Sequence, residues 1–260
     1  MRKVLTLLSL LALLVALAAA GSAGAGRRAA ASTFTYCTDP TFPPMEFTTT
    51  SGKIIGFDVD MAAKLAKTWG ATAAAKKTAF PGLLPALNAK RCDAVISGIF
   101  VTPDRKKQAA VVAYMASHRV LIVKSGNPKH ITSPSGLKGK VVAVQAGTKY
   151  EEYLKALKAK IGFTLQSYPG DTDAVAQVLL GRADAVLTQD TSYAYQVKQH
   201  PGKIAVGYTF AQKDSFGIYY RKADASSLGQ QISSGIAQLK SNGALKAIAL
   251  KFKVPVADVK

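Results

Sequence analysis

The sequence predicts an α/β protein in which a mostly parallel sheet carries helices on both faces. Three observations lead there. Short apolar runs alternate along the chain with segments whose apolar residues recur at helical spacing. Capping residues and glycines fall at the junctions between the two kinds of segment. A short pattern also occurs twice, in Ala89–Ser97 and in Leu180–Thr188: a basic residue, any residue, Asp-Ala-Val, an aliphatic and a hydroxyl, each time after a short helical stretch. This duplication predicts two halves built on one plan.

The elements follow in order. Phe34 to Thr38 reads as a strand. Asp58 to Trp69 reads as an amphipathic helix, with Met61, Leu65 and Trp69 on one face, carboxylates at its start and Gly70 just past its end. Leu83 to Leu87 is a helical turn and Asp93 to Ser97 a strand. Thr102-Pro103 is an N-cap followed by proline at the first helical position. Arg119 to Val123 is the next strand. Lys140 to Gln145 then reads as a strand leading to Gly147-Thr148, and Thr148 to Glu151 is a capping box that opens a helix with Tyr150, Leu154, Leu157 and Ile161 on its apolar face. Strand Phe163 to Tyr168, helix Asp173 to Leu180 and strand Asp184 to Thr188 complete the second half. Leu228, Ile232, Ile236 and Leu239 form one last helical face, and Leu245, Ile248 and Phe252 another, with Asn242-Gly243 between them.

Composition sets the bounds. The chain has 260 residues, 48% hydrophobic and 19% charged, which excludes disorder and collagen-like sequence. Thirty-four Lys+Arg against 15 Asp+Glu give a formal net charge of +19. The lysines recur at helix-surface spacing (Lys64 and Lys67; Lys155, Lys158 and Lys160) without interleaved aromatics, the pattern of solvated faces rather than of a nucleic-acid partner.

Met1-Arg2-Lys3 precedes an apolar run from Val4 to Ala20 and then small residues, the order of a secretory signal peptide. The reading is an exported protein, periplasmic or secreted, with residues 1–31 as signal and flexible small-residue segment and with cleavage between Ala20 and Ala31; an uncleaved anchor is the competing reading. Two cysteines, Cys37 and Cys92, lie in strand-like runs. In an oxidising compartment they are disulfide candidates, with two buried thiols as the alternative. His118, His130 and His200 stand apart without metal-ligand spacing, so neither a metal nor a cofactor is expected.

Six segments carry a resemblance: Cys37 to Phe47 (CTDPTFPPMEF), Gly56 to Asp60 (GFDVD), Phe80 to Leu87 (FPGLLPAL), Ser97-Gly98-Ile99 running to Thr102-Pro103-Asp104-Arg105, Leu137 to Lys140 leading to Gly147-Thr148, and Ala185 to Asp190 (AVLTQD). In this order and spacing the chain, from about Thr33 to its C-terminus, resembles the polar amino-acid family of periplasmic solute-binding proteins (solute-binding protein family 3), the receptor subunits of ABC importers. The resemblance implies a two-lobed Venus-flytrap fold with doubly wound sheets and two crossover hinge segments. Lobe 1 would span 33–116 plus 213–260, and lobe 2 would span 121–210. It also implies a monomeric receptor that captures an amino acid and delivers it to a permease.

Site residues follow from the same match. Arg105 would pair with the ligand carboxylate, helped by backbone N–H groups near Ser97, Gly98 and Thr148. Asp190, with Gln189 beside it, would take the ammonium. Phe42 and Phe80 would sandwich the side chain, and Asp39 would lie near its distal end. Phe100 departs from the family, which usually has Ser or Thr there. Two other functions remain open. One is an exported enzyme such as a cyclohexadienyl dehydratase, for which Glu151 or Glu152 would be the general acid; the other is a sensing module without a transporter.

Overall fold

The computed structural model describes residues 32–259; the signal-peptide reading lies outside them. Eleven strands occur among the described residues: β1 Thr33–Thr38, β2 Thr41–Phe42, β3 Glu46–Thr48, β4 Ile54–Ile55, β5 Thr72–Lys77, β6 Ala94–Val95, β7 Ala110–Lys124, β8 Val141–Gln145, β9 Thr164–Tyr168, β10 Ala185–Gln189 and β11 Ile204–Tyr220. The helices are α1 Phe57–Lys67, α2 Leu83–Asn88, α3 Pro103–Gln108, α4 Lys149–Ile161, α5 Asp171–Leu179, α6 Asp190–Gln199, α7 Gln230–Ser241 and α8 Ala244–Phe252.

Eight strands form one sheet in the order β5-β1-β6-β11-β7-β10-β8-β9. β1 pairs in parallel with β5 and β6, and β8 with β9 and β10. Between these two parallel groups runs an antiparallel ribbon of β7 and β11, which joins them. Its outer edges pair antiparallel with β6 and β10. The fold is thus the two-part α/β architecture expected of a two-lobed binding protein, and the ribbon strands are its crossovers. The ladder between them shifts register between Thr209 and Lys213, opposite Val120 and His118. Such an irregularity interrupts regular pairing and bends the strand.

Local chemistry explains the elements. Thr102 caps α3 by accepting a hydrogen bond from the Arg105 N–H, with Pro103 behind it. Thr148 caps α4 by accepting from the Glu151 N–H at 3.2 Å, and the Glu151 carboxylate accepts in return from the Gly147 N–H at 2.9 Å. The apolar face of α1 buries Met61, Leu65 and Ala66, and Gly235 lets α7 approach it closely, because a Cβ there would lie 2.5 Å from the Leu65 side chain. Cys37 and Cys92 are joined in a disulfide with Cα atoms 5.8 Å apart, inside a small apolar cluster with Leu83, Leu87 and Tyr219.

Candidate functional site

The carboxyl ends of β1, β6, β8, β9 and β10 meet at one cleft, the place where parallel sheets of this kind hold ligands. About 430 Å³ of space, its open mouth included, lies among side chains from both halves of the molecule. Nine of the ten residues the sequence assigned to the ligand line it: Asp39, Phe42, Phe80, Ser97, Gly98, Phe100, Arg105, Thr148 and Gln189.

The floor is held by a buried network. Glu46, Asp58 and Tyr114 are all fully buried. Asp58 accepts hydrogen bonds from the Gly98 N–H at 2.8 Å and from the Tyr114 hydroxyl at 2.8 Å. Glu46 accepts from the Ser97 hydroxyl, and that hydroxyl oxygen accepts from the Asp39 N–H at 2.9 Å. Burial first, and the neighbouring Asp58 charge second, push the Glu46 carboxyl well above the usual carboxylate range. Its Oε2 is buried without a hydrogen-bond partner among the described residues. Gly98 is required for two reasons: its φ is +48°, and a Cβ there would sit 2.6 Å from the Phe42 ring.

Arg105 is 8% exposed. Its Nη1 donates to the Phe100 carbonyl at 3.1 Å, and its guanidinium carbon lies 5.5 Å from the centre of the Phe80 ring. It forms no ion pair with any described residue, while burial lowers its pKa. A guanidinium removed from water and left without an anion is costly, and such a group can take up an anion from outside. Lys149, at the rim, differs because it already pairs with Asp104 and Glu152.

Asp190 requires a correction. The structure places it outside the cleft, where its carboxylate accepts hydrogen bonds from the Ser117 hydroxyl and the His118 N–H on β7. The reason is the pleat: neighbouring residues at a strand end point to opposite sides, so Gln189 lines the cleft while Asp190, which opens α6, turns to the ribbon. Sequence reasoning missed Asp171 and Gln145. Asp171 is 4% exposed, lines the cleft, and accepts hydrogen bonds from the Thr188 and Ser192 hydroxyls. Burial pushes its pKa up to about 6. The sequence reading began the next helix at Asp173, so Asp171 fell in the connection before it, whereas the structure starts that helix at Asp171.

Phe100 has a defined role. Its ring stacks on Phe216 at 5.4 Å and meets Tyr150 edge-on at 5.1 Å, so it closes one wall between the two halves. Other contacts bridge the cleft as well. Gln145 Nε2 donates to Asp39 Oδ2 at 3.0 Å, Lys149 pairs with Asp104 at 3.2 Å, and Phe47 packs on Tyr195 at 5.4 Å. Gly147, with φ of +73°, packs so tightly that a Cβ would lie 2.7 Å from Pro81. Glu151 and Glu152, nominated for catalysis, hold other partners: Glu151 binds Ser167, Gly147 and Lys155, and Glu152 binds Lys149.

Residues 34–254 match the bacterial extracellular solute-binding proteins, family 3. The chain is 34% identical over 214 residues to the L-cystine-binding protein TcyJ of Escherichia coli K12, which covers 82% of this chain and 79% of that one. It is 32% identical over 227 residues to the putative ABC transporter arginine-binding protein 2 of the same organism, covering 86% and 91%. Among solved structures, an ancestral arginine-binding protein bound to arginine superposes with a TM-score of 0.80 at 32% identity, covering 85% of this chain and 98% of that one. An ancestral amino acid-binding protein described as a precursor of cyclohexadienyl dehydratase superposes with a TM-score of 0.78 at 29% identity, covering 85% and 95%.

Proposed function

We propose, for a chain that belongs to the bacterial extracellular solute-binding proteins of family 3, that it is an exported receptor which closes on an amino acid and delivers it to the permease of an ABC importer. The observation that carries this reading is Arg105, a buried cation in the cleft that pairs with no carboxylate of the described residues. A free α-carboxylate supplies the missing anion through a bidentate pair, with the Gly98 and Thr148 segments alongside.

The lobes of this reading are residues 33–116 plus 213–260 and residues 121–210. They hinge where β7 and β11 cross and the ladder shifts register. A ligand touching both lobes favours the closed form by its differential affinity for that form. Contacts such as Gln145 with Asp39 and Lys149 with Asp104 belong to the closed form and are lost on opening. We assign a binding role rather than catalysis, since the two glutamates nominated as acids are engaged in capping and rim ion pairs.

Calorimetric titration of the domain 32–260 with each of the twenty amino acids tests this. One-to-one binding of at least one of them is expected, and binding of none overturns the receptor reading.

A further inference from the structure

We infer that the cleft takes an amino acid with a cationic side chain, and that Asp171 and Asp39 together hold its cationic groups, including the ammonium that the sequence assigned to Asp190. The inference rests on the receptor reading and deepens it to a ligand class.

The charges of the lining decide it. Five ionisable acids and bases line the cleft: Asp39, Glu46, Arg105, Lys149 and Asp171. Glu46 is fully buried and turned to Ser97, and burial with the neighbouring Asp58 charge favours its neutral form. Lys149 is already held by Asp104 and Glu152. This leaves one cation, Arg105, against two anions, Asp39 and Asp171, and each of the three is more than nine-tenths buried. Neither carboxylate has an ion-pair partner among the described residues. Asp171 accepts only from the hydroxyls of Thr188 and Ser192, Asp39 accepts from the Phe80 N–H and Gln145, and Lys77 acts on Asp39 only from a distance.

A zwitterion fits this set badly. Its carboxylate neutralises Arg105 and its ammonium one aspartate, which leaves the other buried charge uncompensated. A ligand of net charge +1, with one carboxylate and two cationic groups, closes the balance. Cystine, with two carboxylates and two ammonium groups, is net neutral and leaves the same imbalance.

Two further observations point the same way. Burial first, and the Asp39 charge to a lesser extent, raise the pKa of Asp171, and a cation placed between the two carboxylates relieves both. Gln189, 1% exposed and lining the same cleft, has an Oε1 with no hydrogen-bond partner. That oxygen can only accept, and an ammonium or guanidinium N–H of the ligand would satisfy it.

The test compares L-arginine and L-lysine with L-citrulline, L-glutamine and L-cystine by calorimetric titration of the domain 32–260. Citrulline matches arginine in shape but lacks the side-chain charge. The better of the two cationic ligands is expected to bind at least about tenfold more tightly than every other member of the set. Any smaller margin overturns the inference while leaving the receptor reading intact, whereas no binding by any of the twenty amino acids defeats that reading itself. Asp171→Asn and Asp39→Asn serve as the residue test, each first shown to unfold cooperatively. Each is expected to lower the arginine-to-citrulline affinity ratio by about tenfold or more. A merely structural role would leave that ratio unchanged, and an unchanged ratio in Asp171→Asn overturns its assignment.

Discussion

Replacing Arg105 by alanine isolates the interaction proposed for the ligand carboxylate. In the folded protein its guanidinium is 8% exposed, donates once to the Phe100 carbonyl, and pairs with no carboxylate. The Phe100 carbonyl also accepts from the Tyr219 hydroxyl, so the substitution leaves no backbone acceptor orphaned. The ligand-free protein therefore loses little, and removal of an unpaired buried cation offsets the lost packing against Phe80. The complex loses much more: a buried carboxylate without its partner costs roughly 2–5 kcal/mol. At about 1.4 kcal/mol per decade, this weakens Kd by about thirtyfold to several thousandfold. Calorimetry with the ligand that binds the wild type, together with a thermal melt of both ligand-free proteins, reads the two quantities. Arg105→Lys should fall between, because it keeps the charge and loses the bidentate fork. Unchanged affinity in Arg105→Ala would refute the reasoning, as would a ligand-free protein that no longer folds.

Three other perturbations have definite outcomes. Asp171 has a pKa of about 6 in the folded protein, above its ordinary value of 3.8, so its contribution to stability is present below that ordinary value and disappears as pH rises through 6. The melting temperature of the ligand-free wild type, taken relative to Asp171→Asn, should accordingly fall between about pH 4 and pH 7, and a flat difference would contradict the burial argument. Reducing the Cys37–Cys92 bond, which spans 55 residues, should cost about 2–4 kcal/mol in denaturant unfolding. Ligand affinity should survive, since neither cysteine lines the cleft. Gly147→Ala places a Cβ against Pro81 and requires a positive φ, so it should weaken binding more than it lowers the ligand-free melting temperature; equal effects on both would argue against a role in closure.

Much of the fold was legible because helix starts and buried parallel strands have strong local chemistry. Thr102-Pro103, Thr148 with Glu151, and the Asp-Ala-Val strands all appear where expected. The crossover strands were not. Of β7, only residues 119–123 were visible as an apolar run; its first half mixes exposed and buried positions because it lies in the ribbon between two cores. β11 was missed for the same reason, and the two- and three-residue strands β2, β3 and β4 are too short to leave a periodic signal.

At the site, Arg105, within Thr102-Pro103-Asp104-Arg105, lines the cleft. The adjacent pair Gln189-Asp190 could not be resolved from sequence, because one step along a strand exchanges cleft for ribbon. Asp171 was hidden for a different reason. The helix was read from Asp173, so Asp171 fell in a connection, and only the three-dimensional placement of Thr188 and Ser192 against it brings it to the cleft.

The most direct test of the whole account is a crystal structure of the domain with the amino acid that binds it most tightly. The account predicts the ligand enclosed between the two halves, its carboxylate in two-pronged contact with Arg105 and its cationic groups facing Asp171 and Asp39. A ligand bound elsewhere, or one whose carboxylate lies away from Arg105, would contradict it.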